Sequence, residues 1–164
     1  PVSNVEQLSF LFFFYLVEGI DAENRTRARF LKKPYTSLFD GKSLKGSRAL
    51  VLGLSYKADI DDDRESPSFE IIEKLREAGA EVAYCDPYIP VARPGREHDI
   101  RLSSVPCTAE EFARHDVLVV STAHSDFKDA SLYAGAKLVV DTRNLLAPLG
   151  LGTPGGPGPD VVRA

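Results

Sequence analysis

Residues able to grip an anion and a flat ring collect in one polar stretch, residues 53–67, GLSYKADIDDDRESP. It holds Tyr56, Lys57 and Arg64, one ring and two cations. A ring stacks on a base, and cations, above all the planar fork of an arginine, neutralise a pyrophosphate. Asp61, Asp62 and Asp63 stand between them. Three neighbours in sequence seldom converge on one ion, so they read as solvated loop charges and partners for Lys57 or Arg64 rather than as metal ligands. Arg143, in DTRN at 141–144, is a further cation for a ligand, with a structural clamp to Asp141 as the alternative. Asp86, in DPYIP at 86–90, stands where a ribose-binding acid would sit in a dinucleotide domain. Pro87 follows and no glycine fingerprint precedes, so it reads as a turn former. Ser66 reads as a helix cap, since no Ser–His arrangement accompanies it. His124 follows a strand end and is a minor candidate, while His98 and His115 read as surface residues. No residue is assigned as catalytic and none as a metal ligand.

The elements that must position these residues are readable from the same sequence. RALVL at 48–52 is a short apolar strand ending at Gly53. Ser66 and Pro67 open a helix, Phe69, Ile72 and Leu75 recur at helical spacing, and Gly79 closes it. EVAYC at 81–85 is the next strand. A short helix over 109–114, a strand over 116–121, a helix over 127–133 and a strand over 137–140 repeat the alternation, and 161–163 suits a last edge strand. Residues 145–159 are rich in Gly and Pro and are expected to lack regular structure. Continuous apolar strands alternating with helices predict an α/β fold, a doubly wound Rossmann-like parallel sheet with helices on both faces. In such a sheet ligands bind beyond the carboxyl ends of the strands, where the stretches at 53–67, 86–90, 122–126 and 141–144 all fall. The first of them is not a G-x-G-x-x-G turn, because Ser66 lies thirteen residues beyond Gly53. The sheet is therefore not expected to be an NAD site of its own.

Several of these motifs occur together in one order. The string from GLSYKADIDDDRESP through the amphipathic helix to DPYIP, followed by VVDTRN, resembles the UDP-glucose/GDP-mannose dehydrogenase family, C-terminal domain, over about residues 44–144. It looks most similar to the branch acting on UDP-N-acetylhexosamines. The resemblance implies a UDP-sugar-binding domain of an NAD-dependent UDP-sugar 6-dehydrogenase, which oxidises the sugar C6 alcohol to a carboxylate using two NAD. It implies that Tyr56, Lys57 and Arg143 contact the UDP-sugar, and that Arg64 reaches NAD bound mainly by another, N-terminal domain. Neither Cys85 nor Cys107 matches the family's nucleophile, which belongs to a preceding part together with the glycine fingerprint. The isolated chain is thus expected to be inactive. Plainer roles stand beside these: Lys57 and Arg64 neutralising the Asp triplet, and Tyr56 as a packed ring.

Composition bounds the remaining possibilities. The chain is 43% hydrophobic and 27% charged, with a net charge of −4, as in an ordinary globular protein and without the basic excess expected for nucleic acid. Leu8 to Ile20 is too short for a membrane span and contains Glu18. Cys85 reads as a small core residue, and two isolated cysteines suit a reducing compartment, hence a cytoplasmic protein. Residues 1–42 read as a linker or helical segment, non-native sequence included, and 43–164 as the ligand-binding domain. The aromatic run at 10–15 suggests contact with another copy, so a homo-oligomer is expected. The competing reading is a non-catalytic oligomerisation or interaction module on the same fold.

Overall fold

The computed structural model describes residues 44–94, 98–152 and 158–163; the readings made for 1–42 lie outside these. Five strands form one sheet: β1 (Arg48–Leu52), β2 (Glu81–Cys85), β3 (Val117–Val120), β4 (Leu138–Asp141) and β5 (Asp160–Arg163). Their order is β2-β1-β3-β4-β5, and every pairing is parallel. Ala49 to Leu52 and all of β3 and β4 are buried. Successive residues of a strand face opposite ways, so an unbroken buried run means that the sheet is covered on both faces. The doubly wound Rossmann-like α/β fold expected from the alternation is the fold found.

The longest helix among the described residues, α1 (Pro67–Glu77), forms as its sequence dictates. Ser66 is extended and its side chain accepts from the Ser68 amide, Pro67 takes the first turn, and Gly79 follows the end at φ 87°. Phe69, Ile71, Ile72 and Leu75 are buried, each contributing roughly 1.5–3 kcal/mol relative to exposure. Leu50, Leu52, Leu118, Val120 and Val139 join a core cluster with Phe112, Phe127 and Tyr133. Phe112 comes from α2 (Ala109–Ala113), which Thr108 caps by accepting from the Glu111 amide.

The helix expected over 127–133 is instead two 3-10 turns, Ser125–Lys128 and Ala130–Tyr133. Asp129 divides them: its backbone is extended and its carboxylate accepts from the Ser131 amide and hydroxyl. A short acid that satisfies the next turn's amide competes with helix continuation. Within the Gly/Pro-rich stretch one 3-10 turn forms, Ala147–Leu149, closed by Gly150 at φ 72°.

The cysteines are not separate. Val105 donates its amide to the Tyr84 carbonyl at 2.8 Å, bringing the following residues alongside the end of β2. Cys107 there forms a disulfide with Cys85, with Cα atoms 5.6 Å apart. Cys85 is the small core residue expected, fully buried, but it is paired rather than isolated, and the compartment expectation loses the support it drew from isolated cysteines. Of the two histidines expected at the surface, His115 is corrected and His98 is partly exposed. His115 is 4% exposed, with Nδ1 2.9 Å from the Glu111 carbonyl at the end of α2. His98 stacks on Phe69 and meets Glu73 at 2.9 Å.

Candidate functional site

The strands finish level with one another. Cys85, Leu52, Val120 and Asp141 are paired across β2, β1, β3 and β4. The residues just beyond them therefore form one line along the carboxyl edge of the sheet. The order reverses between β1 and β3, since β2 lies to one side of β1 and all later strands to the other. That reversal is where an open parallel sheet offers a ligand crevice.

The loop after β1 fills this position itself. Gly53 has φ 89°, and a Cβ built there would stand 2.5 Å from the Thr122 Cβ. Only glycine tolerates both the conformation and the contact. Ser68, in the first turn of α1, donates to the Gly53 carbonyl at 2.8 Å and shares a 2.7 Å hydrogen bond with Ser121. The Ser68 amide is in turn taken by the Ser66 side chain at 3.3 Å.

Asp86 lies at the end of β2, 3% exposed. Its Oδ2 accepts from the amides of Leu54 (2.6 Å) and Ser55 (2.8 Å), from the Ser55 hydroxyl (2.9 Å) and from His124 Nε2 (3.1 Å). Its Oδ1 accepts from the amides of Tyr88 and Ile89. Burial pushes this carboxyl up, but the donors, His124 first among them, outweigh it and hold the group well below the usual carboxylate range. The turn role expected for Asp86 is present on one oxygen. The other oxygen ties down the loop after β1, a long-range role that the local sequence did not show.

His124, the minor candidate, is fully buried. Its Nδ1 accepts from the Asp59 amide at 2.9 Å, which leaves the proton on Nε2, where it meets Asp86. Asp59 has φ 62°, and its carboxylate accepts from the Ser125 amide at 2.7 Å and hydroxyl at 2.6 Å. Those two bonds, the hydroxyl's first, lower its pKa. Thr122 donates to the Ser55 carbonyl at 2.7 Å.

Between these fixed points sit Tyr56 and Lys57, both exposed. The Lys57 ammonium lies 5.5 Å from the centre of the Tyr56 ring, and among the described residues it makes no ion pair. The Tyr56 amide donates to the Asp62 carbonyl, closing the loop on itself. The acidic triplet divides its charges. Asp62 takes Arg64 in a two-pronged pair at 2.9 and 2.8 Å and falls to about 2. Asp61 pairs with Arg93, and Asp63, 2% exposed, accepts from the Arg93 amide at 3.1 Å. Arg93 is the partner that sequence reasoning missed; it lies 30 residues from Asp63. Lys57, expected as a partner for the triplet, is not one. Among the described residues no group of three or more His, Cys, Asp or Glu is placed to hold a metal ion.

Arg143 follows β4, two strand spacings from β1, or about 10 Å. Its guanidinium does not clamp Asp141. Its Nε donates to the Ser121 carbonyl at 2.7 Å. Asp141 instead accepts from the backbone amides of Arg143, Leu145 and Leu146, shaping the turn. Tyr56, Lys57 and Arg64 thus share one loop, and Arg143 stands apart from them on the same edge of the sheet.

The groups that a dinucleotide fold presents at this edge are engaged by the protein itself. Gly53 packs directly against Thr122, the Ser68 side chain in the first turn of α1 is bonded to Gly53 and Ser121, and the Asp86 carboxylate is committed to six donors. The exposed Arg64 offers only a surface contact.

The UDP-glucose/GDP-mannose dehydrogenase family, UDP binding domain, matches residues 50–148. The chain belongs to this family. A protein named as a putative UDP-glucose 6-dehydrogenase of Bacillus subtilis is 31% identical over 80% of the chain, which spans 31% of that protein. A UDP-glucose 6-dehydrogenase of Rhizobium meliloti is 32% identical over 79% of the chain and is matched over 30% of its own length. Among solved structures, the NDP-N-acetyl-D-galactosaminuronic acid dehydrogenase of Methanosarcina mazei superposes with a TM-score of 0.61 at 25% identity, over 92% of this chain and 28% of that one. The UDP-binding-domain family thus extends from β1 to the turn after β4, the span that carries all four expected ligand residues. The chain covers about a third of the length of the curated relatives it matches.

Proposed function

We propose that this chain supplies the UDP-binding surface of an NAD-dependent UDP-sugar 6-dehydrogenase, which oxidises the sugar C6 alcohol to a carboxylate. The observation that carries the reading is Lys57, a cation without an ion pair among the described residues, beside the exposed Tyr56 ring on a loop held at both ends. A base lies on a ring, and a pyrophosphate seeks a cation whose charge is not already neutralised. Arg143 is the further contact to the sugar nucleotide. Arg64 reaches NAD held by another domain, exchanging Asp62 for a phosphate oxygen. Hydride transfer and the nucleophile belong to parts of the enzyme outside these residues, so none of the residues described here is catalytic.

Titration calorimetry of the chain with UDP and UDP-glucose tests this. Binding is expected to be weak and to weaken further with salt, because exposed charges are screened. Lys57→Ala is expected to lower affinity about tenfold or more, since a charge-assisted contact contributes roughly 1.5–3 kcal/mol. Arg64→Ala is expected to leave UDP affinity nearly unchanged. Equal UDP affinity in wild type and Lys57→Ala overturns the assignment of Lys57.

A further inference from the structure

Tyr56 and Lys57 are exposed and few of their own contacts hold them, so their position depends on the backbone on either side. On the upstream side, Leu54 and Ser55 are bound to Asp86 and to Thr122. On the downstream side, the Asp59 amide is bound to His124 and the Asp59 carboxylate to Ser125. The two sides meet at a single side chain. His124 touches Asp86 through Nε2 and Asp59 through Nδ1, and is fully buried between Tyr88 (centroids 5.0 Å) and Phe127 (5.4 Å). A neutral imidazole with its proton on Nε2 provides one donor and one acceptor on opposite sides of the ring. Asp86 demands the donor and the Asp59 amide demands the acceptor.

We propose that His124 is a positioning residue for nucleotide binding: bridging Asp86 and the Asp59 amide, it joins the two ends of the Tyr56–Lys57 segment and fixes the ring and the ammonium at the strand-end crevice. This rests on the proposed UDP-binding role of those two residues. It concerns a histidine that touches no ligand and carries no charge in this arrangement, and whose effect passes through the Asp59 amide.

The test uses amide exchange and UDP-glucose titration on the same chain. In the wild type the Asp59 amide is expected to be protected, and the His124 ring nitrogens to show the Nε2–H tautomer by nitrogen-15 shifts. His124→Phe keeps an aromatic ring against Tyr88 and Phe127 but removes both polar atoms. It is expected to reduce Asp59 protection and UDP-glucose affinity at least about tenfold, while amides of β1 and β3 remain protected. His124→Asn places a carbonyl oxygen near the Nδ1 position and, restoring one arm of the bridge, is expected to recover Asp59 protection and part of the affinity. His124→Gln keeps only a donor toward Asp86 and is expected to recover neither. A role in bulk stability alone would not distinguish Asn from Gln in this way. An Nδ1–H tautomer, an unprotected Asp59 amide in the wild type, or unaltered UDP-glucose affinity in His124→Phe overturns the proposal. Wild-type chain that leaves UDP-glucose unbound overturns the function reading instead, and the amide data then decide the positioning role separately. If His124→Phe fails to fold, the contrast between the Asn and Gln variants decides both.

Discussion

Asp86 accepts six hydrogen bonds from three stretches of chain, and its carboxylate form is what they all require. Asp86→Asn turns one of its acceptors into a donor facing other donors. A loss of about 3 kcal/mol or more is expected, because buried donors are left without partners. The folded-state pKa of Asp86 is depressed, so its stabilisation is complete above the ordinary aspartate value of about 3.9 and drains away as pH falls below it. Denaturant midpoints measured from about pH 7 down to pH 3 should show the gap between wild type and Asp86→Asn constant at first and beginning to narrow below about pH 4. A constant gap across that range would refute the account. At this scale the sequence was informative about residue type but not about reach. Tyr56, Lys57 and Arg64 were visible because rings and cations in a polar loop stand out. The ties of Asp86 to Leu54 and of His124 to Asp59 span 32 and 65 residues, and no local pattern records such distances.

The elements β1 and α1 were legible in detail, since an apolar strand, a Ser-Pro start, a helical stripe and a closing glycine all agree on one structure. The failure at 127–133 is equally instructive. Its apolar spacing suits a helix, yet the side chain of Asp129 caps the next turn and breaks the run. The joint between elements that matters most is the approach of Gly53 to Thr122, where β1 and β3 part toward the crevice. Gly53→Ala brings a methyl group into contact with Thr122 at a positive φ. A loss of about 2–3 kcal/mol is expected from crowding and backbone strain together. Urea denaturation would measure it, and a change below about 0.5 kcal/mol would mean that the strand ends separate at little cost.

The described residues form a five-stranded parallel sheet with a covalent tie at its β2 edge. Cys85 and Cys107 are 22 residues apart, and a loop of that size implies about 3 kcal/mol of stabilisation, mainly through the unfolded chain. Thiol reductant should lower the denaturation midpoint accordingly while leaving the sheet formed; Cys107→Ser should reproduce the shift and make it insensitive to reductant. An unshifted midpoint under reducing conditions would show that the tie adds nothing. The sequence did not announce this pair, because what aligns the two cysteines is a backbone bond from Val105 to Tyr84.

The bridge at His124 also implies an order of assembly. Strand β1, helix α1 and strand β2 are consecutive in the chain and can condense early, with short loops to close. The tie from Asp59 to His124 and that from Ser55 to Thr122 join residues 65 and 67 apart. They can form only once β3 has crossed over and docked beside β1. The segment bearing Tyr56 and Lys57 is therefore among the last parts of the sheet's carboxyl edge to set, and its shape reports that the rest has already folded.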